Sequence, residues 1–256
     1  MQVVILAGGF GTRIAEETSV IPKPLVRIGQ DPILVHLIRY FASYGHTDFI
    51  IALGFKGYLI KEYFANYVNE NSNFEIDFQR NKVEYFDTGN TNWKIKLIDT
   101  GEATMTGGRL LRLKSYLDKE FFLTYGDGLS DVNLDDLENF HNDNNTIATV
   151  TAVKPPARYG SLNISNDFVT YFGEKVEHEG SWINGGFFRC NKKILDYIED
   201  DATVFEKKPM EKLIENKQLK AFQHSGYWQC MDNLRDKMNL EKIWNSGNAP
   251  WIRHSK

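Results

Sequence analysis

Over its first 153 residues the chain alternates short apolar runs with longer segments whose apolar side chains recur at helical spacing, and few architectures accept that order. Gln2 to Ala7, Asp48 to Leu53, Glu120 to Tyr125 and Thr146 to Val153 have the length and content of strands buried on both faces. Trp93 to Asp99 alternates apolar and polar residues, which is also strand-like. Between these runs, Ile33, Leu34, Leu37, Ile38 and Phe41 sit on one helical face, with Pro32 suited to the first helical position and Gly45 to the end. Gly57 to Tyr67, Thr106 to Leu117 and the segment around Leu134, Leu137 and Phe140 read as further helices. Strand and helix in alternation predict an α/β fold, a mostly parallel sheet covered on both faces.

Beyond residue 153 the pattern changes. Gly160 to Ile164, Phe168 to Phe172 and Trp182 to Cys190 read as strands, a smaller β-rich part; helices return at Asn191 to Ile198, Pro209 to Glu215 and Asn233 to Trp244. Val68 to Thr91 is polar and rich in Asn, with weak strand signals, and reads as an insertion. The 256 residues are taken as a single domain, 1–256. A net charge of −4 argues against a nucleic-acid partner, and the absence of a run of about 18 apolar residues argues against a membrane span. The start, MQVVILAGG, reads as a first strand and not a signal peptide. With only Cys190 and Cys230, no disulfide framework is expected, and a cytoplasmic protein with reduced thiols fits.

The stretch ILAGGFGTRI, Ile5 to Ile14, leaves the first strand through three glycines. A dinucleotide fingerprint fails because Ile14 stands where its third glycine belongs and Pro22 and Pro24 break the helix it must open. The P-loop string is absent as well. An anion-binding loop survives: successive backbone N–H groups make a concavity for phosphate, and Arg13 and Lys23 add positive charge nearby. Its place at the carboxyl end of a first parallel strand is where open α/β sheets bind ligands.

LAGGFGTR followed by PKP resembles the signature of the sugar-phosphate nucleotidylyltransferases. DTGEATMTGGRL (Asp99 to Leu110), TYGDGLSDV (Thr124 to Val132), FGEKVEHEGSWINGGFF (Phe172 to Phe188) and GYWQCMDNLRDK (Gly226 to Lys237) are similar to the branch of that family that makes CDP-glucose. The likeness runs along nearly the whole chain. It implies a Rossmann-like, mostly parallel mixed sheet of the nucleotide-diphospho-sugar transferase type. It also implies the reaction of CTP with α-D-glucose 1-phosphate to give CDP-glucose and pyrophosphate, with Mg²⁺ as cofactor. A homo-oligomer is implied too, trimer-based and hexameric, for which the 68–91 insertion is the candidate contact. The family's usual setting is surface polysaccharide biosynthesis.

The resemblance also implies residue roles. Arg13, Lys23 and Asp127 are the catalytic candidates. Leu6, Ala7, Gly8, Gly9, Phe10, Gly11, Thr12, Arg13, Lys23, Thr104, Arg109 and Gly128 are the nucleotide-binding candidates. Tyr159, Gly160, Glu174, Lys175, Asn184, Gly185 and Trp228 are placed on the sugar side. Asp127 and Asp232 are the metal ligands. Taken alone, Asp127 between two glycines suits a turn, Asp232 before the last helix suits an N-cap, Arg109 suits a solvated helix position and Trp228 suits core. Glu102-Ala103 stands where close relatives are expected to carry two acidic residues. The six histidines are read as structural and the two cysteines as small buried hydrophobes. Two alternatives stay open: the same chemistry with another nucleotide or phosphorylated acceptor, and a non-catalytic nucleotide- or sugar-phosphate-binding module.

Overall fold

The computed structural model describes residues 1–11, 20–86, 91–154, 161–165, 168–173 and 182–253, with backbone alone for 161–173. Its elements run, in order, β1 (Gln2–Ala7), a 3₁₀ turn (Lys23–Leu25), β2 (Arg27–Ile28), β3 (Asp31–Pro32), α1 (Ile33–Ala42), β4 (Asp48–Leu53), α2 (Gly57–Asn71), β5 (Asn73–Asp77), β6 (Lys82–Phe86) and β7 (Lys94–Asp99). Then follow α3 (Thr106–Arg112), β8 (Glu120–Tyr125), β9 (Gly128–Ser130), α4 (Leu134–Asn144), β10 (Ala148–Val153), β11 (Ser161–Ser165), β12 (Phe168–Gly173) and β13 (Ile183–Asn191). A 3₁₀ segment (Lys192–Tyr197), α5 (Lys208–Glu215), β14 (Leu219–His224), β15 (Trp228–Cys230) and α6 (Leu234–Asn245) complete the chain.

Seven strands form the main sheet in the order β14-β10-β13-β8-β1-β4-β7. β1 is parallel to β4 and β8, β4 to β7, and β10 to β14. β13 alone runs antiparallel, between β10 and β8. Successive residues of β1 face opposite sides of the sheet. Val3, Ile5 and Ala7 join the core with α1, and Val4 and Leu6 join a second core with Leu110, Leu113 and Leu213. Phe49 and Ile51 against Ile50 and Ala52 repeat that division in β4. The expected doubly covered sheet is thus present. Its parallel strands place the carboxyl ends of β1, β4 and β8 along one edge, and the antiparallel β13 brings its amino end to that same edge.

The differences from the sequence reading have local causes. Pro32 is the residue before α1, held in a two-residue ladder with Arg27, and does not occupy the first helical position. α2 continues to Asn71, past the expected end at Tyr67, whose ring packs on Trp93 at 5.5 Å. The described residues that follow in the insertion form the β5–β6 hairpin, which leaves Phe74, Ile76, Phe78, Val83, Tyr85 and Phe86 exposed. The helix expected to reach Leu117 ends at Arg112, where Leu113 and Lys114 switch to i→i−3 bonds with Leu110 and Leu111. Lys192–Tyr197 is 3₁₀ and not α. Sequence reading missed β14, an edge strand whose Lys220 and Gln223 interrupt any apolar run, and the three-residue β9 and β15.

Candidate active site

A cleft of about 920 Å³ opens at the carboxyl edge of β1 and β8. It is lined by Leu6, Ala7, Gly8, Gly9, Phe10, Gly11, Lys23, Thr104, Arg109, Asp127, Asn184, Trp228 and Asp232 among the residues expected from sequence. Gly128 and Gly185 lie just behind this lining. Gly128 pairs with Cys230, and the Gly185 carbonyl accepts from Trp228 Nε1 at 2.7 Å. Thr12, Arg13, Tyr159, Gly160, Glu174 and Lys175 lie outside the described residues.

Asp127 and Asp232 are 105 positions apart in sequence and meet through the short β9–β15 ladder. Cys230 pairs with Gly128, and the Met231 N–H donates to the Asp127 carbonyl at 2.9 Å. Asp232 is not the cap of α6: Asn233 is, in a reciprocal capping box with Asp236. Asp236 also accepts from the Asp232 N–H at 3.0 Å, so this buried carboxylate fixes the backbone that carries Asp232. The cue was legible as N-x-x-D before an apolar run.

Lys23 projects from the 3₁₀ turn between the two carboxylates, with Nζ 2.6 Å from Asp127 Oδ2 and 2.9 Å from Asp232 Oδ1. Burial alone would lower the lysine pKa, and the charges and hydrogen bonds of Asp127, then Asp232, outweigh it, so the net shift is upward. Both oxygens therefore converge on one point that takes positive charge. Among the described residues no group of three or more His, Cys, Asp or Glu is placed to hold a metal ion. Two hard carboxylates facing a cleft nevertheless fit Mg²⁺, which completes its octahedron with water and substrate phosphates. Cys230 donates to Asp232 Oδ2 at 3.5 Å, and its thiol is pushed up to about 12 by burial and the neighbouring Asp232 and Asp127. It stays protonated at neutral pH and is no nucleophile.

The glycines of the loop serve different ends. A Cβ on Gly8 would lie 2.4 Å from Arg109 Cζ, and one on Gly54 2.3 Å from Arg109 Nη1, so the absent side chains make room for a guanidinium. A Cβ on Gly9 would meet nothing within 4 Å, which leaves that backbone open to the cleft. Gly11 has φ +64°, a region that glycine enters without steric cost. Arg109 is buried, not solvated. Its Nη1 donates to Leu53 O, Thr100 Oγ1 and Gly101 O, and its Nη2 to Gly8 O and Glu102 O.

On the other side of the cleft Trp228 is half-buried against the core while lining the opening. Asn184 Nδ2 donates to the Tyr125 hydroxyl at 3.4 Å, and Tyr125 donates to Glu206. Burial and the Glu206 charge raise the Tyr125 pKa, which keeps the phenol neutral. Glu206 also accepts from Thr106 Oγ1 at 2.7 Å, and sequence reading offered no signal for it. The four described histidines sit elsewhere: His36 on Ile28 O at 2.8 Å, His46 Nδ1 beside the N-terminal amine at 3.4 Å, His141 on Thr149 Oγ1 at 2.9 Å and His224 on Asp131 at 2.9 Å.

The family model described as nucleotidyl transferase matches residues 2–238. The chain belongs to the nucleotidyl transferase family. It is 46% identical over 253 residues to the glucose-1-phosphate cytidylyltransferase of Salmonella typhi, covering 98% of each chain. It is 39% identical to a probable glucose-1-phosphate cytidylyltransferase of Bacillus subtilis, over 98% of this chain and 99% of that one. Among solved structures, HddC from Yersinia pseudotuberculosis superposes with a TM-score of 0.68 at 26% identity, over 95% of this chain and 99% of that one. No described helix is long and apolar enough to cross a membrane.

Proposed function

We propose that this chain transfers the cytidylyl group of CTP to α-D-glucose 1-phosphate, giving CDP-glucose and pyrophosphate. The observation that carries the reading is the convergence of Asp127, Asp232 and Lys23 in the glycine-loop cleft of a chain aligned end to end with glucose-1-phosphate cytidylyltransferases. A phosphate oxygen of glucose 1-phosphate attacks the α-phosphorus in line. A new P–O bond forms as the bond from the α-phosphorus to the bridging oxygen breaks, and that electron pair leaves on pyrophosphate. The nucleophile is already ionised, so the site needs no strong base; positioning and charge stabilisation do most of the catalysis.

Asp127 and Asp232 would hold Mg²⁺, which supplies positive charge to the reacting phosphates. Lys23, already aimed at that point, supplies a second cation to the α-phosphate or the sugar phosphate. Gly8 to Gly11 offer backbone donors to the nucleotide, and Asn184 and Trp228 bound the hexose side. Arg13 is assigned to the departing β,γ-phosphates, and Glu174, Lys175, Tyr159 and Gly160 to the sugar phosphate and hydroxyls. The 68–91 insertion, whose β5–β6 hairpin is exposed, is assigned as the contact between copies of the chain, and the setting is cytoplasmic. The test is product analysis: with CTP, glucose 1-phosphate and Mg²⁺, anion exchange and mass spectrometry should show CDP-glucose in equal amount to pyrophosphate. Pyrophosphate without a sugar nucleotide would contradict the transfer.

A further inference from the structure

We infer that the loop from Asp200 to Glu206 is a clasp that sets one wall of the nucleotide cleft, Glu102 to Thr106, by holding the helix behind it. The inference rests on the nucleotide-binding reading of that wall, whose residues Glu102, Ala103, Thr104, Met105 and Thr106 all line the opening. The wall runs straight into α3, which has little of its own to start it. That helix is seven residues long, its cap residue Met105 makes no side-chain hydrogen bond, and Gly107 and Gly108 fill its second and third positions. Glycine is a poor helix former, and the first N–H groups of any helix lack partners within it.

The loop supplies those partners. The Met105 N–H donates to Asp201 O at 2.9 Å, and the N–H groups of Gly107 and Gly108 donate to Thr203 O at 2.9 and 3.3 Å. Thr106 Oγ1 accepts from the Phe205 N–H at 2.9 Å and donates to Glu206 at 2.7 Å. Arg112 holds the Asp201 carboxylate through Nε at 2.9 Å and Nη2 at 2.5 Å. The loop also has its own shape. Asp200 Oδ1 accepts from the Ala202 N–H at 2.9 Å and from Thr203 Oγ1 at 3.0 Å, and Phe205 is buried in the second core against Phe188. The approach to α3 is close: a Cβ on Gly107 would lie 2.7 Å from Thr203 O, and one on Gly108 2.5 Å from Asp201 Cα. These glycines therefore admit the loop, and the N–H groups that a second glycine pair would offer to phosphate are already given to carbonyl oxygens. On this side the nucleotide meets the wall ahead of the helix, and that wall stands where Asp201 and Thr203 hold it. A wall held in place beforehand removes the cost of ordering it on binding. Gly107, Gly108, Asp200, Asp201 and Thr203 are all outside the cleft lining.

The test is titration calorimetry of the whole protein with CTP, UTP, dTTP, ATP and GTP, and separately with glucose 1-phosphate. The clasp variants are Gly107→Ala, Gly108→Ala and the double variant Asp200→Ala with Asp201→Ala. The methyl group added at either glycine meets the backbone of Thr203 or Asp201, outside the cleft, and removes no group that faces a ligand. Loss of nucleotide affinity in these two variants then reports displacement of the wall and not a lost contact. Leu117→Ala, which empties volume in the same core away from the clasp, is the control for stability, read by thermal melts. Each clasp variant should weaken the nucleotide that the wild type binds best by at least about threefold, while glucose 1-phosphate affinity stays within about twofold. Leu117→Ala should lower the melting temperature and leave both affinities within about twofold of wild type. Wild-type nucleotide affinity in the clasp variants would overturn the inference. Equal loss for nucleotide and glucose 1-phosphate, or the same nucleotide loss in Leu117→Ala, would reduce the loop to general stability and overturn it as well. If the two glycine variants do not fold, the double variant, confined to exposed side chains, carries the test by the same criteria. A wild type that prefers a nucleotide other than CTP refutes the cytidylyl assignment, yet the variant-to-wild-type ratio for that nucleotide still decides the role of the clasp. Binding of none of the five would overturn both.

Discussion

Asp127→Asn should separate catalysis from stability. The substitution removes one negative charge and almost no volume. Lys23 Nζ then keeps Asp232 as its counter-ion at 2.9 Å, and the asparagine oxygen can still accept the hydrogen bond that Asp127 accepts at 2.6 Å. An ion pair at this range is worth about 6 kcal/mol at an effective dielectric near 20. Relief of carboxylate–carboxylate repulsion and of desolvation cancels most of that for side chains 28% and 22% exposed. The expected change in unfolding free energy is about 1 kcal/mol or less, the range of partly exposed pairs. Activity behaves differently, because charge fixed at the developing transition state has no substitute in water. Loss of one such element typically lowers turnover by about 10² to 10³-fold, roughly 3–4 kcal/mol. The assay is pyrophosphate release at saturating CTP, glucose 1-phosphate and Mg²⁺, beside a urea melt of the same preparation. Wild-type turnover in a folded Asp127→Asn protein would refute the metal assignment. A collapse of stability matching the loss of activity would show the carboxylate to be structural.

Three further outcomes follow from the same contacts. Lys23→Met leaves Asp127 and Asp232 facing each other without their cation, so its melting temperature should fall in EDTA and rise with Mg²⁺ by more than the wild type's; equal Mg²⁺ shifts would contradict the shared site. His46 is buried, with Nδ1 beside the N-terminal amine and Nε2 unpartnered, and burial followed by that amine's charge lowers its pKa to about 4. Because the folded form resists protonation, its contribution is complete above about pH 6.5 and declines as pH falls toward 4, by about 3 kcal/mol in all. Urea midpoints of His46→Gln should fall less steeply over that window, and an unchanged slope would refute the burial argument. Replacing Asn73–Phe86 by a Gly-Ser link should reduce the mass seen by light scattering to that of a single copy, below the 29.5 kDa of the full chain, and an intact assembly, or a monomeric wild type, would exclude the hairpin as the contact.

The sheet was legible because its strands are buried on both faces, and burial of that kind writes itself as unbroken apolar runs such as Val3 to Leu6 and Phe49 to Leu53. Exposed or edge elements leave no such trace: β14 carries Lys220 and Gln223, and the β5–β6 hairpin leaves its apolar side chains in solvent. Asp127 and Asp232 could be named from motifs, but their union depends on β9 and β15, three residues each and too short to show a period. Arg109 was legible as important and not as buried, since a helical arginine in sequence gives no hint of carbonyls converging from three loops. Gly8 shows the same limit. A glycine that admits a ligand and a glycine that admits a buried guanidinium look alike until the neighbour is in place.

The most direct measurement is pyrophosphate release from the wild-type protein with Mg²⁺ and glucose 1-phosphate, offering CTP, UTP, dTTP, ATP and GTP one at a time. Strong release with CTP and little with the other four is the expected result. Preference for another nucleotide would contradict the cytidylyl assignment while leaving the phosphoryl chemistry of the cleft in place, and silence with all five would contradict the enzyme itself.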